Sequence, residues 1–285
     1  MSTIKQINQV LEDSNSLKLV AQAYSEIAAI KLQKIRKGIE KNRNFFQEIS
    51  EIFHVVRVAA MRQGIKIATK RRGTLSILLT SNYHFYGSLE TQLVEFFILN
   101  TTKFKTDRIV VGKTGGEFLQ TMGYFHPYQP FIFKDDLPMV EELRKMVISL
   151  TGYQQILVYY SRMQSVLIQE PHVVDIVQAP PEHYLKVSKL GSLSYIFEPE
   201  IDKMVEFFNT QITQLLFEQT FLESELARTA ARLTSMDQAQ GNANDLIKTQ
   251  KKLLAEAKRA IDNNRLLETI ATLIGWKKEH HGQID

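Results

Sequence analysis

All seven prolines of this 285-residue chain fall between Pro127 and Pro199. Proline breaks a helix interior at a cost of roughly 3 kcal/mol, because it lacks the amide proton and clashes with the preceding turn. The proline-free ends are therefore free to form long helices. The apolar residues of the first segment support one. They recur at Ile4, Ile7 and Leu11, then Leu17, Val20, Tyr24 and Ile27, then Leu32, Ile35 and Ile39, and again at Ile49, Phe53 and Val56. Steps of three and four are coiled-coil spacing, and the residues between them are polar or charged. A stripe this narrow needs a partner helix rather than a wide core.

The last segment supplies that partner. Between Glu200 and Ile274 the only helix-breaking residue is Gly241. Apolar residues run through Ile201, Val205, Phe208, Ile212, Leu215, Leu222, Leu226, Leu233, Met236, Ala239, Ala243, Leu246, Leu253, Ala257 and Ile261. The middle of the chain reads differently. Thr74–Thr80 (TLSILLT), Arg108–Val111 (RIVV), Gln155–Tyr160 (QILVYY), His172–Val177 and Ser194–Phe197 are short, β-branched or aromatic runs. Helical patterns near Leu89–Leu99, Glu117–Met122 and Met139–Leu150 alternate with them. Such alternation argues for a small α/β domain with a largely parallel sheet. The expected fold class is α/β plus a long antiparallel two-helix coiled coil, with a central Rossmann-like α/β domain inserted between the two helices. The expected divisions are 1–72 (first helix and a basic connector), 73–198 (the α/β domain) and 199–285 (second helix and a polar tail).

Composition narrows the chemistry. The absence of cysteine excludes disulfides, thiol catalysis and thiolate metal sites. A net charge of +4 is weak evidence for any anionic partner. No apolar run reaches the roughly 18–20 residues of a membrane helix, and Met1–Gln9 has no signal-peptide core. Any membrane contact is therefore expected to be indirect.

Several short motifs match one family. Leu222–Met236 (LESELARTAARLTSM), continuing through Asn242, Ala243, Leu246 and Ile247, resembles the AARM…NA…LI signature of F-type ATP synthase gamma subunits. Tyr195–Pro199 (YIFEP), Tyr159–Pro171 (YYSRMQSVLIQEP), Ile27–Leu32 (IAAIKL) and Gly112–Phe118 (GKTGGEF) resemble other stretches of the same family. The chain also departs from it. Ser81–Gly87 (SNYHFYG) replaces the family's SDRGLCG, Ala227-Arg228 replaces its Ser-Glu pair, and Ala257–Leu266 diverges from its tail motif. The resemblance implies a non-catalytic rotor shaft, standing in a hexamer of alpha and beta subunits. The α/β domain would sit at the foot, against a membrane c-ring and an epsilon-type subunit, with peripheral attachment at the cytoplasmic face of the inner membrane. It also implies that Lys258 and Arg259, which fall where the family has an Arg-Gln pair, contact a beta-subunit loop. No cofactor, metal or catalytic residue is expected.

Other readings of the residues stay open beside it. Gly112-Lys113-Thr114 invites a phosphate-loop reading, but the second glycine such a loop needs is replaced by Asp107. A turn that uses glycine for its geometry is the alternative. The histidines are dispersed, and no zinc or nucleophile constellation forms. Phe53–Leu89 contains no acidic residue and carries Arg57, Arg62, Lys66, Lys70, Arg71 and Arg72. That stretch is a solvated face, a surface near anionic headgroups or an acidic partner, or a nucleic-acid patch; the lack of interleaved aromatics weakens the last. Gln238–Asn244 interrupts the second stripe with polar residues and Gly241, which reads as fraying or as a non-adhesive surface. The rival function is a coiled-coil adaptor with an α/β head.

Overall fold

The computed structural model describes residues 4–62, 72–135, 138–150, 152–177 and 200–281. Helix α1 spans Ile4–Arg62 and helix α5 spans Ile201–His281. Between them lie strands β1 (Arg72–Leu79), β2 (Asp107–Val111), β3 (Gln129–Phe131), β4 (Tyr153–Met163) and β5 (Gln169–Asp175), with helices α2 (Leu89–Thr101), α3 (Lys113–Thr121) and α4 (Val140–Leu150). Long terminal helices flanking a sheet domain are the expected fold. The run Ser194–Phe197, read as a strand, lies outside the described residues. Strand β3 was not anticipated, because a three-residue strand containing Pro130 carries no pattern.

The sheet order is β3-β2-β1-β4-β5, and only β5 runs antiparallel to its neighbour. Alternate residues of each strand serve opposite faces. Leu75, Ile77 and Leu79 join Ile109, Val111, Ile156 and Val158 on one face, against α4 and against Phe217 and Phe221 of α5. Leu78, Val110 and Tyr159 line the other face, against Leu93, Val94 and Phe97 of α2 and Leu119 of α3. Because both faces are covered, Ile77, Leu78 and Leu79 form a continuous apolar run rather than an alternating one.

The chain forms two compact units, residues 1–26 with 236–285 and residues 27–235. In the second unit, α1 and α5 pair antiparallel. Phe53 meets Phe208 with ring centroids 6.1 Å apart, Val56 and Ala60 pack on Ile201 and Val205, and Leu32 and Ile35 pack on Leu226 and Ala230. In the first unit the buried residues are Ile7, Ser14 and Ala21 of α1 and Ala243 and Ile247 of α5. Helix α5 continues through Gly241, which is exposed and has open space around it, so the polar interruption does not break the helix.

One expectation is corrected. Leu17, Val20, Tyr24 and Ile27 do not form the seam of α1; Leu17 is 54% exposed and Ile27 57%. The buried positions Ile7, Ser14, Ala21, Ala28, Ile35 and Asn42 keep a strict seven-residue period. Likewise Leu246, Leu253 and Ile261 of α5 face outward, while Ala243 and Ile247 are buried. A seam follows a 3.5-residue repeat whatever side chains fall on it, and here it runs through small and polar ones.

Candidate functional site

Two turns of α5 gather most of the specialised contacts of the second unit. Within Leu226–Ala231 the side chains divide by helical face. Leu226 and Ala230, four residues apart, face Leu32 and Ile35 of α1. Ala227 and Ala231 face Tyr86 of the loop after β1 and Leu89 at the start of α2. The alanines are nearly or wholly buried, and their small size lets both neighbours approach the helix closely.

Glu225 and Arg228 lie among these small residues, 1% and 2% exposed at the side chain. Arg228 donates from Nε and Nη2 to Glu225 Oε2, at 3.2 and 2.8 Å, and from Nη1 to Ser224 Oγ at 2.9 Å. Lys31 of α1 reaches the other oxygen, Glu225 Oε1. Burial pushes the Glu225 carboxyl up, but Arg228 and Lys31 together outweigh it and hold the group below its ordinary value. The result is a buried ionic knot tying α1 to α5.

Two arms of the α/β domain grip the next turn. The loop after β1 supplies one. The guanidinium of Arg232 sits 4.4 Å from the ring centroid of Tyr86, and its Nη2 donates to the His84 carbonyl at 3.2 Å. Gly87, at φ 61°, lies so close that a β-carbon there would meet Ser235 Oγ at 3.0 Å. Phe85 holds φ 74°, which is rare for a bulky residue. The β4–β5 hairpin supplies the second arm. Thr234 Oγ1 donates to the Val166 carbonyl at 3.2 Å, and Met163 packs beside Ala227 and Ala231.

The phosphate-loop reading does not hold. The amide of Thr114 donates to the Ser81 carbonyl at 3.0 Å and the amide of Gly115 to Thr80 Oγ1 at 3.0 Å, so the segment just after β1 already occupies the start of α3. Gly112 adopts φ 94°, and a β-carbon there would lie 2.7 Å from the backbone of Thr80 and Ser81. The glycine serves the turn. Among the described residues no group of three histidine or carboxylate side chains could hold a metal ion.

Lys258 and Arg259 are both exposed on α5. Arg57 and Arg62 lie on α1 and Arg72 opens β1, while Lys66, Lys70 and Arg71 lie outside the described residues. Sequence reasoning did not find the ionic knot. Its signal was a carboxylate and a guanidinium three residues apart in a run otherwise made of small and apolar residues. It missed the two arms because they join segments far apart in the chain.

The profile of the ATP synthase family matches residues 3–271. The ATP synthase gamma chain of Rickettsia bellii is 24% identical over 95% of this chain and 98% of its own. That of Staphylococcus saprophyticus is 21% identical over 87% and 90%. Among solved structures, a chain from the central stalk and c-ring of the Tetrahymena thermophila mitochondrial ATP synthase superimposes with a TM-score of 0.57 at 17% identity, covering 77% of this chain and 99% of that one. A chain from the Euglena gracilis mitochondrial ATP synthase gives 0.55 at 17% identity, covering 90% and 97%. A profile match over nearly the whole length, on two long helices flanking a mixed sheet, settles the family: this chain belongs to the ATP synthase family as a divergent gamma-type member.

Proposed function

We propose that the chain works as a rotor shaft without catalysing anything itself: its paired helices turn inside a head of alpha and beta subunits, and its α/β domain couples them to a membrane c-ring. The observation that carries this reading is the family match over residues 3–271 together with the antiparallel pairing of α1 and α5. A shaft selects among nucleotide states of its surroundings only through unequal contacts with them. Exposed apolar residues on α5, among them Leu266, Leu267, Ile270 and Leu273, offer such contacts, and Lys258 and Arg259 are the proposed grip on a beta-subunit loop. The working divisions are 1–72 and 199–285 for the shaft and 73–198 for the foot, with an epsilon-type subunit against the foot. No helix among the described residues is long and apolar enough to cross a membrane, which accords with peripheral attachment. The basic stretch from Arg57 to Arg72 is assigned to the membrane-facing side of the foot.

Co-expression with alpha, beta, epsilon and membrane-sector subunits from the same organism tests the proposal. The expected outcome is a complex whose ATP synthesis requires this chain. Arg71→Glu with Arg72→Glu should weaken attachment of the head to the membrane sector in a salt-dependent way and leave hydrolysis by the detached head intact. A complex that synthesises ATP equally well without the chain overturns the shaft reading and favours an adaptor.

A further inference from the structure

A titratable cluster that the shaft reading does not use joins the outermost strand β5 to β4, and through Tyr160 of β4 to α5. Tyr160 on β4 and His172 on β5 are direct cross-strand partners, so both side chains stand on the same face of the sheet. Tyr160 belongs to the core that faces α5. Its hydroxyl donates to Glu223 Oε2 on α5 at 2.8 Å, and Gln219 Nε2 donates to Glu223 Oε1 at 3.0 Å. His172 stands edge-on to the Tyr160 ring, with centroids 5.6 Å apart and planes at 90°. Arg162, two residues beyond Tyr160 on the same face of β4, is its diagonal neighbour. The charged groups on this face are Arg162 from β4, Glu170 directly opposite it on β5, and Glu223 from α5; Arg162 and Glu223 are the ones that act on His172.

We propose that His172 is a proton-operated latch on strand β5: as neutral imidazole it packs against the β4 tyrosine that Glu223 of α5 holds, and as imidazolium it places a second positive charge beside Arg162 in a half-buried site, so that β5 loosens from β4. The energetics favour the neutral state. Burial, then Arg162, lower the affinity of the ring for a proton, and the attraction of Glu223 opposes them without winning. Glu223 cannot turn fully to the imidazolium without giving up the bond it accepts from the Tyr160 hydroxyl. The latch is therefore closed above the ordinary imidazole value of 6.5 and opens as the solution becomes more acidic. Opening needs only a proton from solvent.

The test uses the full chain with histidine isotopically labelled, titrated by NMR between about pH 5 and 8, the range across which imidazoles change charge. In parallel, amide exchange of Gln169–Asp175 is measured and corrected for the intrinsic pH dependence of exchange. His172 should titrate below 6.5. Protection of β5 should fall as pH drops, by up to about tenfold for each unit between that value and the folded midpoint. Arg162→Gln, at an exposed position that leaves the packing intact, should raise the midpoint, and Glu223→Gln should lower it. His172→Gln should abolish the excess pH dependence of β5. A midpoint at or above 6.5, no response to Arg162→Gln, or an unchanged pH dependence in His172→Gln would each overturn the latch.

Discussion

At the scale of single residues, Glu225 decides how two charged side chains are tolerated inside the helix pair. Its two oxygens serve Arg228 and Lys31 separately, so removing the carboxylate leaves a guanidinium buried without its anion. Breaking a buried pair from one side costs about 3–5 kcal/mol, whereas replacing both partners with apolar groups of similar volume is often neutral. Glu225→Gln should therefore destabilise the chain by about that amount in thermal unfolding, while Glu225→Leu with Arg228→Met should lose far less. Equal losses would mean that the knot contributes through packing alone. Two carboxylates on α5 should respond to pH with opposite signs. The folded Glu225 lies below its ordinary value, so its contribution is present above about pH 4.5 and is lost as pH falls. Burial raises Glu218, partly offset by a hydrogen bond from Asn42, so the folded state holds its proton more tightly than the unfolded state does. Stability from Glu218 is full below its ordinary value of 4.5 and is lost as pH rises through the raised one. Glu218→Gln should consequently stabilise the chain at neutral pH and change little in acid.

At the scale of elements, the seam of α1 separates what apolar character announces from what helix geometry imposes. Around Ala21 the seam is Ser14, Lys18, Ala21, Ser25 and Ala28, while larger apolar side chains point outward. Ala21 is 1% exposed, so Ala21→Leu should force apart a closely packed contact and cost about 1–3 kcal/mol. Leu17→Ala, on the exposed face, should stay within about 0.5 kcal/mol. Thermal unfolding of the two variants distinguishes the registers, and the reverse order of effects would restore the stripe that the large side chains mark. The correct phase was nonetheless available in the sequence. Leu11 and Leu32 are twenty-one residues apart, a whole number of heptads, so the phase set at either end extends unbroken through the middle. Apart from β3, the described strands and helices of the sheet domain were legible because their patterns are local. The knot and the arms were not, because Lys31 with Glu225, and Val166 with Thr234, meet only after the chain has folded.

At the scale of the whole molecule, a gamma-type chain acts through what it touches as it turns, and the tail that carries Lys258 and Arg259 is one of the stretches that depart from the family motif. Both side chains are exposed on α5 and free to meet a partner. They are unequal as contacts. An ammonium is a point charge on a flexible stem, whereas a guanidinium presents a planar fork that can hold a carboxylate through two parallel bonds. Arg259 should therefore carry the stronger hold on a beta-subunit loop and Lys258 the weaker. In the isolated chain neither matters much to stability, since an exposed substitution usually changes it by no more than about 0.5 kcal/mol. In the assembled machine the proposed contact would form only at certain angles of the shaft, so losing it should slow coupled turnover without preventing assembly. The measurement is ATP synthesis by complexes carrying Arg259→Ala or Lys258→Ala, normalised to the amount of assembled complex. The expected order is wild type fastest, Lys258→Ala intermediate and Arg259→Ala slowest, with unfolding temperatures of the isolated chains unchanged. If both variants assemble and synthesise ATP at the parental rate, these two residues are not the grip, and the divergence of the tail means that torque passes to the head through other residues of α1 and α5.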